Sequence, residues 1–588
     1  MTQPLTPPKW SLEDLLPEPV EHSLELALDE LTKKVGAFEK ERGRLSDSIS
    51  QDDFLQLLNR FEDISRQAGE IFAYASLSFY ADTKNQASLN LRDRVYQALT
   101  YIENRTLFFT LWLKGLPEET ARRITPQEGD YRYYIQALLK FKPYTLSENE
   151  EQIINLKDVD GIHAMTSLYD MITSSFAFTM TVDGEERTLT RDELGALYRH
   201  PSPDVRAAAY QELFRVYKEN SSILAQIYNH RVRDWHSTGI TIRKYPTPIS
   251  VRNLVNDIPD EAVEALLDVC ADNNKLFQRY FRLKAKWLGV DKLRRYDIYA
   301  PLTSADKSYE FGHAVDLIMD SFRRFSPAVA DMAQRVFDDN HIDAEIRSGK
   351  RGGAFCYSVS PSLTPWVHVN YTGKARDVAT MAHELGHAIH GMAAGNRSYL
   401  TFHAPLPLAE TASVFAEMLL TDRLLAEETD PAVRRDLLAY AVDDAYSTVQ
   451  RQAYITLFER EAHKRIMDGG TYDQLCAANL DNVRSQFGDV VEVSDDFQFE
   501  WMVIPHIYHT PFYTYAYSFG QLLVLSLYQQ YRTQGGSFIP QYMKLLSYGG
   551  SEEPAKVLHE AGFDIASPAF WQGGYDVLRG MIDELENL

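Results

Sequence analysis

The stretch RDVATMAHELGHAIHGMAAG, residues 376–395, decides how the rest of the chain is read. It predicts a helix ending at Gly395, and inside that helix sit His383, Glu384, Leu385, Gly386 and His387. Histidines at i and i+4 lie one above the other on one helix face, about 6 Å apart along the axis, so both imidazoles can reach a single ion. Zinc accepts that arrangement readily. Glu384 is turned about 100° from His383 around the axis, beside the ion rather than in line with the ligands. That position suits a general base acting on a water whose pKa the metal has lowered.

With 16 histidines in the chain, an HExxH pattern arises by chance in about 3 of 100 such sequences, so its surroundings matter. His390 shares nearly the same face but lies about 10 Å along the axis from His383, which favours a supporting role over ligation. A catalytic zinc wants a third protein ligand and an open position. Downstream, LAETASVFAEMLLTDRLL predicts one helix with proline near its start, on which Glu410 and Glu417 fall two turns apart on one face. Geometry alone leaves both open as the third ligand. Leu408, Val414, Phe415, Met418 and Leu419 predict that this helix is largely buried.

Working outward, 588 residues exceed what one hydrophobic core serves, so two or more lobes are expected. Hydrophobic residues at 45% and charged residues at 24% describe an ordinary folded chain. The formal net charge of -23, without any concentrated Lys/Arg tract, argues against nucleic acid as a partner. Cys270, Cys356 and Cys476 have no CxxC spacing, so neither a disulfide framework nor a thiolate metal site is expected. The opening MTQPLTPPKWSLEDLLPEP lacks the basic and apolar regions of a secretory signal, and a cytoplasmic location is expected. Trp501 to Tyr531 carries no charged Lys, Arg, Asp or Glu, but its many polar residues and Pro505 and Pro511 predict buried protein rather than a membrane span.

The N-terminal third is helical in pattern. Leu24, Leu28, Leu31, Val35 and Phe38 share one face, and Val95, Ala98, Leu99 and Ile102 repeat the device. FAFTMTVDGEERTLT at 176–190 switches to strand character around Asp183-Gly184, as in a hairpin. Ser202-Pro203-Asp204 starts another helix, and a lobe boundary is placed near residue 200, giving 1–200 and 201–588. Residues 345–375 form a glycine-rich loop followed by a strand, Trp366 to Asn370; helical patterns then return to the C-terminus.

Taken together, TGKARDVATMAHELGHAIH, PLAETASVFAEMLL and IPHIYHTPFYTYAYSFGQ closely resemble the oligoendopeptidase F branch of the thimet oligopeptidase-like zinc peptidases. The likeness extends from WSLEDLLP to GGSEEPAKVLHEAGFDIASPAFW. The resemblance implies a mainly α fold with two helical lobes around a deep substrate channel and a small β element beside the HExxH helix. It implies one zinc per chain on His383, His387 and Glu410, Glu384 as general base, and Glu417 holding a histidine ligand through its other ring nitrogen. His506, Tyr513 and Tyr515 match donors that steady an oxyanion, with Tyr508 as a further candidate. The spacing His506-Ile507-Tyr508-His509-Thr510-Pro511 is more compact than in animal members of the wider family, and Phe512 falls where tyrosine stands elsewhere.

An extended peptide can add to a sheet edge, which makes the strand containing Val367 a candidate substrate contact. The turn Arg351-Gly352-Gly353-Ala354 is a candidate flap over that peptide, its glycines allowing close approach. The expected activity is hydrolysis of internal bonds in short unfolded oligopeptides, by a chain expected to be monomeric. The competing reading is a peptide-binding protein that keeps the channel and no longer cuts.

Overall fold

The computed structural model describes residues 6–18, 20–182, 184–302 and 308–588. Helix accounts for 72% of the structure and strand for 4%, so the fold is mainly α and its sheets are local devices. The chain divides into two compact units, each drawn from three segments. The first comprises 1–143, 306–427 and 530–563, the second 144–305, 428–529 and 564–588. Residue 200 falls inside the second unit.

In the first unit, helices Val20–Glu39, Gln51–Ala81 and Gln86–Gly115 pack the faces that periodicity marks. Leu24, Leu31, Val35 and Phe38 are buried with Phe54, Leu57 and Phe109, while Leu28 packs at the margin of the same cluster. Residues three and four apart are neighbours on a helix, so one stripe of each helix leaves water and the other stays wet. The helix Ala375–Ala393 crosses this unit and packs against Ser413–Glu427. Its entry is fixed by Asp377, whose carboxylate accepts from the main-chain N–H of Thr372 at 2.7 Å and of Lys374 at 3.1 Å.

Beside that helix lies a three-stranded sheet in which Trp366–His368 sits between Ile342–Asp343, parallel to it, and Phe355–Tyr357, antiparallel. This corrects the expectation of a free edge at the strand carrying Val367. Both sides of Trp366–His368 are already paired and Val367 is fully buried, so no peptide can add there. The edge strands are Ile342–Asp343 and Phe355–Tyr357, the latter with contacts to the HExxH helix.

The second unit is built on Pro203–Glu219, Ser221–Trp235, Asp260–Asp272, Asn274–Trp287, Arg451–Met467 and Tyr472–Phe487. Pro203 occupies the first helical turn, as Ser-Pro-Asp predicts. The hairpin is present as Phe178–Val182 paired antiparallel with Glu185–Leu189; Asp183 of its turn lies outside the described residues. Phe178, Met180 and Val182 enter a core that includes Tyr210, Phe214, Tyr228, Phe458, Trp501 and Tyr508. No helix among the described residues is long and apolar enough to cross a membrane.

Candidate active site

The HExxH helix presents His383 and His387 on one face with ring centroids 4.8 Å apart and planes at 83°. The third group comes from a break that periodicity does not reveal. LAETASVFAEMLL is not one helix: a short turn, Leu406–Ala409, ends at Glu410, and a new helix begins at Ser413. The Ser413 hydroxyl sustains the break, donating to the Glu410 carbonyl at 3.2 Å and to its carboxylate at 2.7 Å. Glu410 therefore lies outside the helix that carries Glu417, and its carboxylate oxygen is 3.3 Å from His383 Nε2 and 3.5 Å from His387 Nε2.

Gly386 makes this approach possible. A Cβ there would stand 2.5 Å from Ser413 Cα and 2.6 Å from the Ala412 carbonyl oxygen, so only glycine lets the Glu410–Ser413 segment close on the helix.

The geometry fits a small tetrahedral cation. Ligand atoms about 2.0–2.1 Å from a zinc ion stand ~3.3 Å from one another, close to the two separations from Glu410. His383, His387 and Glu410 form a group whose ligand atoms all lie within 4.8 Å of each other, and His390 is not part of it. Glu417 sits on the far side of His383, accepting from its Nδ1 at 2.6 Å. That bond keeps a proton on Nδ1, so Nε2, on the Glu410 side, is the nitrogen a metal would take.

Burial disfavours a charged His383, but Glu417, Glu410 and Glu384 overcome it and push its pKa up to about 9. Burial lowers His387 to about 4, against the pull of Glu410. Glu410 is half-buried, and the two histidines and Ser413 hold its pKa below the ordinary carboxylate value. The pocket thus concentrates negative charge around the histidine nitrogens, an environment that attracts a cation.

Glu384 is 6% exposed, and burial raises its pKa to about 7. The main-chain N–H of Cys356, on the edge strand, donates to it. The same strand walls a cavity of about 590 Å³ whose lining includes Cys356, His383, Glu384, His387, Tyr399 and His403. Gly352 and Gly353 are exposed, and neither lines this cavity. Gly353 has a φ of 78°, and the Asn370 side chain ties the turn down through the carbonyls of Arg351 at 3.0 Å and Gly353 at 2.8 Å. Cys356, Tyr399 and His403 gave no sequence signal, because only the fold brings them to the cavity that holds His383 and Glu384.

In the second unit, the segment 504–517 gathers His506, Tyr513 and Tyr517, all half-buried. His506 and Tyr513 lie with rings near parallel, centroids 5.7 Å apart, and Tyr517 stands edge-on to both. The Tyr517 hydroxyl is 3.3 Å from His506 Nε2, a partner the sequence did not single out. Burial lowers the pKa of His506, helped by His509 and Arg451.

Two tyrosines singled out by sequence are placed elsewhere. Tyr515 is fully buried and its hydroxyl accepts from Asn256 at 2.9 Å. Tyr508 is 1% exposed and stacks on Tyr169 at 3.9 Å. Both are core residues, whereas His506, Tyr513 and Tyr517 are half-buried. The loop between them is clamped from below. Arg231 donates to the Tyr508 carbonyl at 3.0 Å and Arg252 to the Pro511 carbonyl at 3.3 Å. Buried Glu459 accepts from the N–H of Phe512 at 3.0 Å, and Phe512 holds a left-handed φ of 58°.

Comparison with known proteins gives the family of the chain. The pattern of Peptidase family M3 matches residues 196–577, and that described as oligopeptidase F matches residues 112–178. The chain is 25% identical to oligopeptidase PepF of Bacillus subtilis, over 98% of this chain and 87% of that one. A peptidase-assigned protein from Chlamydophila abortus shares the fold with a TM-score of 0.89 at 23% identity, covering 98% of each chain. Oligoendopeptidase F from Enterococcus faecium shares it with a TM-score of 0.72 at 23% identity, over 96% of this chain and 99% of that one. With the M3 pattern spanning well over half of its length, the chain belongs to peptidase family M3, in its oligopeptidase F branch, and is a metalloendopeptidase.

Proposed function

We propose that the protein is a zinc-dependent oligoendopeptidase that cleaves internal bonds of short, unfolded peptides, with His383, His387 and Glu410 holding one zinc ion per chain. The observation that carries this reading is the convergence of those three groups, their ligand atoms within 4.8 Å of one another, beside a buried, protonatable Glu384. Bound there, zinc would supply Lewis acidity to the scissile carbonyl and acidify water.

Glu384 takes a proton from the attacking water and returns it to the leaving amine; its enclosure sets its pKa near neutrality, as both halves of that transfer require. Glu417 orients His383. His506 and Tyr513, with Tyr517 holding the histidine ring, donate to the oxyanion of the tetrahedral intermediate. The free edge of Phe355–Tyr357 pairs with the extended peptide main chain, and the turn at Gly352 and Gly353 flanks its path.

The division into 1–200 and 201–588 is retained in this proposal, supported by the break between the two family patterns at 178 and 196. Action on free peptides in the cytoplasm as a monomer completes it. Removal of metal with a chelator should abolish cleavage of an internally quenched peptide, and zinc should restore it. Undiminished cleavage by metal-free protein would overturn the proposal.

A further inference from the structure

The second unit holds a small cavity, about 20 Å³, lined in part by Arg295, Tyr446, Arg451, Asn482, Gln486 and Glu500. A space of that size takes one water-sized particle. Its electrostatics are lopsided. Arg295 is 2% exposed and donates to Glu500 Oε1 at 3.0 Å, and Arg451 donates to the same oxygen at 3.1 Å. One carboxylate thus serves two guanidinium groups, and one positive charge is left over.

The neighbouring carboxylate cannot supply the balance, because Asp297 is already engaged by Arg206 at 2.9 Å and Arg294 at 2.7 Å. Arg295 also keeps two buried donors, Nε and Nη1, with no hydrogen-bond partner among the described residues. The ring of Phe497, 5.0 Å from the guanidinium carbon, stabilises the cation but is a weak acceptor. Arg451 is partly exposed, so the cost of incomplete compensation falls on the buried Arg295, and it is the more notable in a chain of net charge -23.

We propose that this cavity binds a single small monovalent anion of the halide class, chloride in the first instance, between Arg295 and Arg451. Polyatomic anions such as phosphate exceed the space. The ion would also act at a distance through Arg451, whose charge bears on His506, and through Ile504, which lines the cavity two residues before His506. This second consequence rests on the catalytic role proposed for His506; the binding site does not.

The test exchanges the full chain into sodium gluconate and titrates sodium chloride or bromide at constant ionic strength. Tm and, on the same samples, kcat/KM for a quenched peptide are recorded. The expected result is a saturable rise in Tm with chloride and bromide, a several-fold change in kcat/KM over the same range, and a bromide anomalous peak beside Arg295 in soaked crystals. Arg451→Met removes one binding group, and Asn482→Leu fills the cavity without touching either arginine. Each should abolish the saturable response, so a variant that fails to fold leaves the other to decide. Superimposable melting curves in chloride and gluconate, or an unchanged response in the variants, overturn the site. A saturable Tm rise with constant kcat/KM upholds the site and removes its link to His506.

Discussion

Gly386→Ala adds one methyl group at the point where the HExxH helix meets the Glu410–Ser413 segment. The new Cβ would lie 2.5 Å from Ser413 Cα, 2.6 Å from the Ala412 oxygen and 2.9 Å from the Ala412 carbonyl carbon, where ordinary contact begins at 3.4 Å. All three are main-chain atoms, so no side chain can rotate away, and the segment must retreat by about 1 Å. Overpacking of this kind costs about 1–3 kcal/mol, which lowers Tm by roughly 2–5 °C in a unit of this size. The larger effect is on metal. Retreat carries Glu410 away from His383 and His387, whose nitrogens it now faces at 3.3 and 3.5 Å, and zinc affinity should fall by at least the ~10–100-fold seen when a ligand loses its support. Competition against a chromophoric chelator measures that affinity, and differential scanning fluorimetry of metal-free protein measures the packing cost separately. If Gly386→Ala binds zinc as tightly as the parent and melts at the same temperature, the close approach assigned to this glycine is wrong.

Glu417→Ala should weaken zinc binding by about 10–100-fold through loss of the 2.6 Å contact to His383, measured by the same chelator competition; unchanged affinity would deny it an orienting role. Tyr513→Phe should cut kcat on the order of 10²–10³-fold with little change in KM, whereas Tyr508→Phe, altering a core residue, should leave kcat near the parent value; steady-state kinetics giving the opposite ranking would reverse the two assignments. Glu459→Leu strands the buried N–H of Phe512, at a cost of roughly 1–3 kcal/mol, and should lower both Tm and kcat. Glu459→Gln, which keeps an acceptor of the same size, should recover most of both, and failure to do so would point to the charge rather than the hydrogen bond.

Much of this was legible in the residues because the signals are local. The spacing of His383 and His387 dictates a shared helix face, and the stripe from Leu24 to Phe38 dictates a buried one. Glu410 was harder. Periodicity ran straight through the Glu410–Ser413 break, since the hydroxyl that sustains it and the glycine that accommodates it are tertiary contacts with no period of their own. The strand at Trp366 is readable from its residues, but that both of its edges are paired depends on two earlier segments, Ile342–Asp343 and Phe355–Tyr357. The tyrosines of 508–517 illustrate the same limit. Tyr508 and Tyr515 are seven positions apart, and only packing distinguishes those two core rings from Tyr513 and Tyr517 beside His506.

The most direct test of the metal centre is the zinc content of metal-depleted, reconstituted protein, compared between the parent and the single variants His383→Ala, His387→Ala and Glu410→Ala. The expected result is one zinc per parent chain and substoichiometric, readily dialysed zinc in each variant, with correctly folded protein throughout. Retention of one tightly held zinc in any of the three would contradict the assignment of that group as a ligand, and retention in all three would place the metal elsewhere in the chain.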